Sequence, residues 1–371
     1  MRAKKAFRVI DADGHIAEPE SLWEKYLQKK YRERRPRIIR DNWGKPRYLL
    51  EGRLHTTPPG RGMGNPDGWG IAAGSDTHKG SHDPAERLKD LDLEGIDIAV
   101  IFPTLMVTVA AGTLPTRDYG LDVALCHAYN NWLADFCRHE PRRLKPVAVL
   151  PLRVIDESVK ELQRCVKELG AVAVDIPTYP CQKNPSDAYF FHLYEEAQEL
   201  GIPVMLHASG GQQVPYAGWE RFDNYVMGHA ISHPFEQMIA VSAMICEGVL
   251  EKFSRLKFAF LESGIGWVPY WMERLDERFE RRAKEIPLCR KPPSEYMKSE
   301  QCFFSCDPDE KLLKTAVEFL GQKRIIYASD YPHWDARYPD TVRLIRENPT
   351  LSDSAKAMIL GGNAGRLFGL K

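Results

Sequence analysis

Eight short runs of near-continuous apolar residues recur along the chain, and between them apolar positions return at intervals of three and four. The runs cover residues 8–15, 96–103, 145–152, 171–177, 203–209, 257–264, 302–307 and 324–330. Apolar runs of this length without polar alternation read as strands buried on both faces, as in a parallel sheet. The segments between them read as helices at 83–93, 118–139, 156–169, 187–200, 235–253, 268–284, 309–320 and 352–360. In the second of these, Leu121, Ala124, Leu125, Ala128, Trp132 and Phe136 form one apolar stripe. Gly170 and Gly201 stand where a helix C-terminus turns left-handed. Eight strands alternating with eight helices predict an α/β fold, a (β/α)8 TIM barrel. A doubly wound open sheet is the alternative, because alternation alone does not close a sheet.

One segment interrupts the rhythm. Residues 31–82 are rich in Gly, Pro and Arg, with Gly60, Gly62, Gly64, Gly68 and Gly70 in PPGRGMGNPDGWG. The glycines match neither a phosphate-binding loop nor a dinucleotide fingerprint. The expectation is a single domain, 1–371, whose insertion at about 31–82 covers the barrel mouth. A shorter excursion is expected at 179–185.

Composition narrows the function classes. Lys+Arg and Asp+Glu are both 51, so formal net charge is zero, and no long basic patch suits nucleic acid. No apolar stretch approaches the ~20 residues of a membrane span, and the N-terminal residues do not form a signal peptide. Eight cysteines without a paired C-x-x-C suggest free thiols and a cytoplasmic location. Cys302 and Cys306 are read as strand residues.

The candidate chemistry lies at the carboxyl ends of the apolar runs, the face on which barrel enzymes place their sites. Asp13 and His15, two apart, are expected to share a face. Asp11 is expected on the same face, one layer deeper. Glu18 is read as orienting His15, touching substrate or lying in a surface turn. His207 ends PVMLH and Asp330 ends IIYASD. Imidazoles and carboxylates converging with an open position suit a catalytic divalent metal. Glu262, in FLESG, is expected as a further ligand, a bridge to a second ion or a group orienting a ligand histidine. His229 and His233 are spaced as on a helix, but Pro234 suggests that a helix starts there and overhangs the site, leaving one of them for acid–base or substrate-binding work. His333 either lines the site or packs beneath its loop. No G-x-S-x-G elbow is present; Ser209 and Ser263 lie near the site without an evident base.

Taken together, DADGHIAEP, DPAERLKDLDLEGID, AYNNWLADFC, LHAS, ESGIGWVPY, SDYPHWD and GGNAGRLFGL resemble the amidohydrolase superfamily over nearly the whole chain. The resemblance is to the amidohydrolase-2 branch, which contains aminocarboxymuconate-semialdehyde, resorcylate and carboxyvanillate decarboxylases and several hydrolases. It implies a barrel with Asp13, His15, His207 and Asp330 as ligands of a divalent ion, zinc first, with manganese or iron as alternatives, and a homodimer. Asp13 stands where many members have His or Glu. Glu262 stands where the decarboxylases commonly have a catalytic His, and it leaves one or two ions open.

Metal-dependent hydrolysis is therefore the first functional expectation. A metal lowers the pKa of bound water to roughly 7, Asp330 takes its proton, and His233 or His229 assists the leaving group at an amide, lactone, thioester or carbon–carbon bond. Non-oxidative decarboxylation of an aromatic or muconate-type acid is the alternative, with Asp330 protonating carbon. A non-catalytic metal-binding barrel is third. Trp69, Trp219, Tyr225, Trp267 and Trp334 suggest a partly apolar small-molecule substrate.

Overall fold

A computed structural model describes residues 7–40, 42, 46–55, 78–110, 116–208, 216–222 and 225–370. Its strands are β1 (Ile10–His15), β2 (Arg37–Arg40), β3 (Pro46–Leu50), β4 (Arg53–His55), β5 (Ile98–Phe102), β6 (Leu144–Ala148), β7 (Ala173–Pro177), β8 (Val204–His207), β9 (Phe258–Leu261), β10 (Cys302–Cys306) and β11 (Ile325–Tyr327). Eight of them form one parallel sheet in the order β1-β5-β6-β7-β8-β9-β10-β11. These are the eight runs read from sequence, all shorter than read, with β6 starting one residue earlier, at Leu144.

The two edges of the sheet meet. β11 stops at Tyr327, short of a regular ladder with β1. The Asp330 N–H instead donates to the Asp13 carbonyl at 3.0 Å, and the His15 N–H donates to the Tyr331 carbonyl at 2.7 Å. The result is a nearly closed barrel rather than an open doubly wound sheet. Ile98, Val100, Phe102, Met205, Ala259, Phe303 and Ile326 fill the interior, and Leu367 and Phe368 of the C-terminal helix Asn363–Phe368 pack with them. The opposite strand faces pack on the helices in a second, larger core. Gly361 is required where the C-terminal segment crosses β1, because a Cβ there would stand 2.0 Å from the Arg8 carbonyl oxygen.

Most helices form as the pattern predicts. Asp83 caps Pro84–Glu94 by accepting from Ala85 and Glu86, and Gly95 ends it at φ 79°. The helix expected at 156–169 is α-helical over Ile155–Arg164 and widens to a π-turn at Cys165–Leu169. The helix expected from 309 starts at Leu313, because Glu310 turns its carboxylate back to the Asp307, Ile265 and Gly266 N–H groups. The helix expected from 235 begins ten residues earlier and runs over Tyr225–Cys246 with Pro234 inside it. Pro234 lacks one donor, yet the long apolar face of this helix outweighs that local cost.

The described part of the insertion holds a 3-10 turn, Lys29–Arg34, and a three-stranded antiparallel sheet of β2, β3 and β4. Arg34 bonds Glu51 within the insertion at 2.8 Å and ties it to the barrel through Asp118 at 3.0 Å. Its glycine-rich run, 56–77, lies outside the described residues. The excursion at 179–185 carries a short 3-10 turn, Pro180–Gln182. All eight cysteines are free, with Cys302 and Cys306 on β10. Among the described residues no helix is long and apolar enough to cross a membrane.

Candidate metal centre

β1 is irregular. Ile10 and Asp11 pair with Ile98 and Ala99, but Gly14 and His15 pair with Ile101 and Phe102, so one extra residue is accommodated between Asp11 and Gly14. A bulge of this kind re-aims side chains. Ile10 and Ala12 point into the barrel, and past the bulge Asp13 and His15 do so too. Asp11 does not share their face as the period-two reading expected. It lies on the outer side of the strand with Gly14, towards Arg87 of the helix Pro84–Glu94.

Asp13, His15 and His207 converge at the carboxyl ends of β1 and β8. Asp13 Oδ1 lies 3.4 Å from His15 Nε2 and 3.6 Å from His207 Nε2, and the two imidazole nitrogens are 3.3 Å apart. Asp330 Oδ1 is 3.5 Å from His15 Nε2. Donors ~2.1 Å from a tetrahedral zinc ion lie ~3.4 Å from one another, so the spacing of Asp13, His15 and His207 fits a single divalent cation, whereas Asp330 groups with His15, Glu262 and His333. Two further observations agree. Both oxygens of Asp13, 1 % exposed, lack a hydrogen-bond partner, which a buried carboxylate does not tolerate without a cation. The ring orientations also fit: His15 Nδ1 faces the Pro103 carbonyl at 2.8 Å and His207 Nδ1 the Ala208 carbonyl at 2.8 Å. A carbonyl only accepts, so each Nδ1 carries the proton and each Nε2 presents a lone pair.

Glu262 adds a carboxylate to this group. Oε1 is 4.0 Å from His15 Nε2, and Oε2 is 3.5 Å from His207 Nδ1 and 3.7 Å from His233 Nε2. Glu262 and Asp330 both sit in left-handed backbone, at φ 60° and 54°, a conformation that costs a non-glycine residue of order 1–3 kcal/mol and recurs at functional sites. His333, left between two readings by sequence, lies in the centre: it stacks on His15 at 4.1 Å, and its Nδ1 is 2.6 Å from Asp330 Oδ1.

Burial and crowding set the charges. Burial, with His333 nearby, pulls His15 down to about 3. Burial and the neighbouring His229 and His207 hold His233 well below its usual range. Burial raises Glu262 well above the usual carboxylate range; His207 opposes this and Asp330 and Asp13 reinforce it. Burial likewise raises Asp330, helped by Asp335, Asp13 and Asp307. His207 is pushed down by burial, but Glu262 and Asp13 outweigh that and raise it well above its usual range. The cluster therefore calls for positive charge, which a divalent ion among Asp13, His15 and His207 supplies.

Above the centre opens a cavity of about 320 Å³ lined by Asp13, His229, His233, Glu262, Ser263, Asp307, Glu310, Asp330 and Asp335, with no Lys or Arg among the described residues lining it. His229 and His233 are one helical turn apart with ring centroids at 4.0 Å. They project from within the helix Tyr225–Cys246, not from a helix start at Pro234. Burial raises Asp307 to about 6 and Glu310 to about 7. Asp307 directly follows β10 and obeys the same strand-end rule that flagged Asp330, so sequence could have found it; nothing local marks Asp335.

The remaining candidates read from sequence fall elsewhere. Glu18 is neither exposed nor beside the ligands. It is buried and accepts backbone N–H bonds from Thr104, Leu105 and Met106 at 3.0–3.1 Å, fixing the loop whose Pro103 carbonyl orients His15. Trp267 packs on Phe304 in the core, and Trp219 packs with Tyr216. Trp334 lies at the mouth against His229. Trp69, Ser209 and the side chain of Tyr225 lie outside the described residues.

A family model described as Amidohydrolase matches residues 10–370. The chain is 28% identical to a 2-amino-3-carboxymuconate-6-semialdehyde decarboxylase of Dictyostelium discoideum, over 78% of this chain and 77% of that protein. It is also 28% identical to a gamma-resorcylate decarboxylase of Polaromonas sp., over 65% and 75%. Among solved structures, an amidohydrolase of Mycobacterium avium subsp. paratuberculosis superimposes with a TM-score of 0.79 at 20% identity, covering 99% of this chain and 100% of that one. A dihydroxybenzoic acid decarboxylase of Polaromonas sp. with bound manganese superimposes at 0.70, also at 20% identity, covering 98% and 97%.

Proposed function

This chain is an enzyme of the amidohydrolase-2 family, whose model spans residues 10–370, and we propose that it is a divalent-metal-dependent carboxy-lyase releasing carbon dioxide from a small carboxylic acid. The observation that carries the proposal is the pair of decarboxylases to which it is similar over most of its length. They favour the alternative drawn from sequence over the hydrolysis placed first.

The residues present suit that chemistry. When bound at Asp13, His15, His207 and Asp330, the ion supplies a Lewis acid for the substrate carboxylate or an adjacent oxygen. The lining carboxyls Asp307, Glu310 and Asp335 disfavour a second anionic group on the substrate. A cavity of about 320 Å³ is at the small end of ligand sites, which suits a single ring or a short chain. Loss of carbon dioxide leaves an electron pair on carbon that must take a proton. We assign delivery of that proton to Glu262, whose carboxyl burial raises well above the usual range and which lies 3.7 Å from His233 and 3.6 Å from His333, in place of the imidazole common at this strand end. The balance is one carboxylate and one proton giving one C–H bond and carbon dioxide. Manganese and zinc both suit the donor set, and a homodimer is proposed with it.

Water activation is the second reading. It is favoured by Asp330, whose Oδ1 lies 2.6 Å from His333 Nδ1 and can accept a proton while His333 passes it on.

Metal-loaded protein incubated with hydroxybenzoic and unsaturated amino acids in deuterium oxide enriched in oxygen-18 separates the two. Carbon dioxide release with one deuterium on the vacated carbon supports the lyase. Incorporation of labelled water oxygen without carbon dioxide overturns it in favour of the hydrolase.

A further inference from the structure

The ligands come from opposite ends of the chain, and regular sheet pairing does not hold them together. β11 ends at Tyr327, three residues before Asp330. Behind the ligands, on the outer side of β1, a side chain bridges the gap. Asp11, fully buried, accepts from the Ser329 N–H at 2.9 Å with Oδ1 and from the Ser329 hydroxyl at 2.6 Å with Oδ2. Asp11 Oδ1 also accepts from the Asp13 N–H at 3.3 Å. One carboxylate thus grips the residue before Asp330 and the backbone of Asp13 at once.

Arg87 completes the arrangement. Its guanidinium, 0 % exposed, donates to the His15 carbonyl at 2.7 Å and lies 4.4 Å from the centre of the Tyr331 ring. The Tyr331 carbonyl accepts in turn from the His15 N–H. A Cβ on Gly14 would stand 2.7 Å from Asp11 Oδ2 and 2.8 Å from Arg87 Nη2, so both charged groups close on the strand from the side opposite the ligands. Only a bulged strand presents Asp11 outward and Asp13 inward two residues later.

We infer that Asp11 is a positioning residue for the metal centre, forming with Ser329 and Arg87 a clasp that sets Asp13, His15 and Asp330 at ligand spacing. This rests on reading those three residues as metal ligands. The clasp touches no substrate; it acts by fixing the relative placement of donors from β1 and from the segment after β11. Groups behind the ligands commonly change metal affinity 10–100-fold when removed.

The test uses the whole chain, stripped of metal and titrated with cobalt(II) and manganese(II). Folding is checked by circular dichroism, and the variants are Asp11→Asn and Ser329→Ala. The expected result is cobalt visible bands in the wild type, with shifted bands and about 10–100-fold weaker binding in folded variants. Ser329→Ala removes the 2.6 Å bond to Asp11 and the 3.2 Å bond from the Tyr331 N–H, leaves the Ser329 N–H on Asp11, and keeps the test decisive should Asp11→Asn fail to fold. Folded variants with wild-type affinity and an unchanged spectrum overturn the clasp, leaving Asp11 a stabilising residue alone. A wild type that binds neither ion overturns the metal-site reading itself.

Discussion

Asp175 offers a quantitative check on the electrostatics of the barrel. It lies on β7 with its side chain fully buried, and neither carboxylate oxygen has a hydrogen-bond partner. Burial raises it to about 7; the nearby His207 opposes this and Asp13 adds to it. The unfolded chain ionises it near 3.8. A raised carboxyl pKa means that the folded state is favoured most below the unfolded value, and that stability is lost as pH rises to the folded value. The window is therefore pH ~4 to ~7. A shift of about three units at 1.36 kcal/mol each costs the folded state roughly 4 kcal/mol at pH 8 and about 2 kcal/mol at pH 5. Asp175→Asn removes the charge while keeping the shape. Metal-free Asp175→Asn should be more stable than wild type by up to ~4 kcal/mol at pH 8, with the advantage halving by pH 5. For 371 residues, at ~2.1 cal/mol/K per residue, that is about 5 °C in Tm at pH 8. Thermal melts across pH 4 to 8 read it directly. A variant melting at or below the wild-type temperature at pH 8, or an advantage that does not shrink towards pH 5, refutes the argument.

Other perturbations have defined outcomes. Glu18→Ala strands the buried N–H groups of Thr104, Leu105 and Met106. At ~1–3 kcal/mol per unsatisfied group it should lose about 3–5 kcal/mol by denaturant melts, and an unchanged midpoint would count against the loop anchor. Gly14→Ala forces a Cβ to within 3 Å of two pinned side chains. It should cost about 1–3 kcal/mol and weaken metal binding, both measurable on one sample by melting and manganese titration. His207→Ala should abolish metal retention after dialysis in elemental analysis, whereas Glu262→Gln should retain one ion per chain and lose turnover. Two ions in wild type with one lost in Glu262→Gln would show that Glu262 is a ligand of a second ion.

Read by itself, the sequence determined the eight alternating strands and helices and the strand ends at which the chemistry lies, and left closure of the sheet open. Eight doubly buried strands must be apolar throughout, so each run is visible without any knowledge of its neighbours. Asp13, His15, His207, Glu262 and Asp330 stand where those runs end. What lay beyond sequence depends on contacts between distant segments or on local exceptions to periodicity. The bulge in β1 overrides alternation and turns Asp11 away from Asp13, and no composition rule marks the extra residue. Pro234 reads as a helix start, yet packing along Tyr225–Cys246 carries the helix through it and sets His229 and His233 one turn apart over Glu262. Glu18 reads equally as a group orienting His15, a substrate contact or a surface turn until the loop after β5 folds over it. Tertiary structure decided the inter-residue spacing, the burial that sets each charge, and the closure of β1 on the segment after β11, because all three arise only when residues as far apart in sequence as Asp11 and Ser329 come within hydrogen-bonding distance.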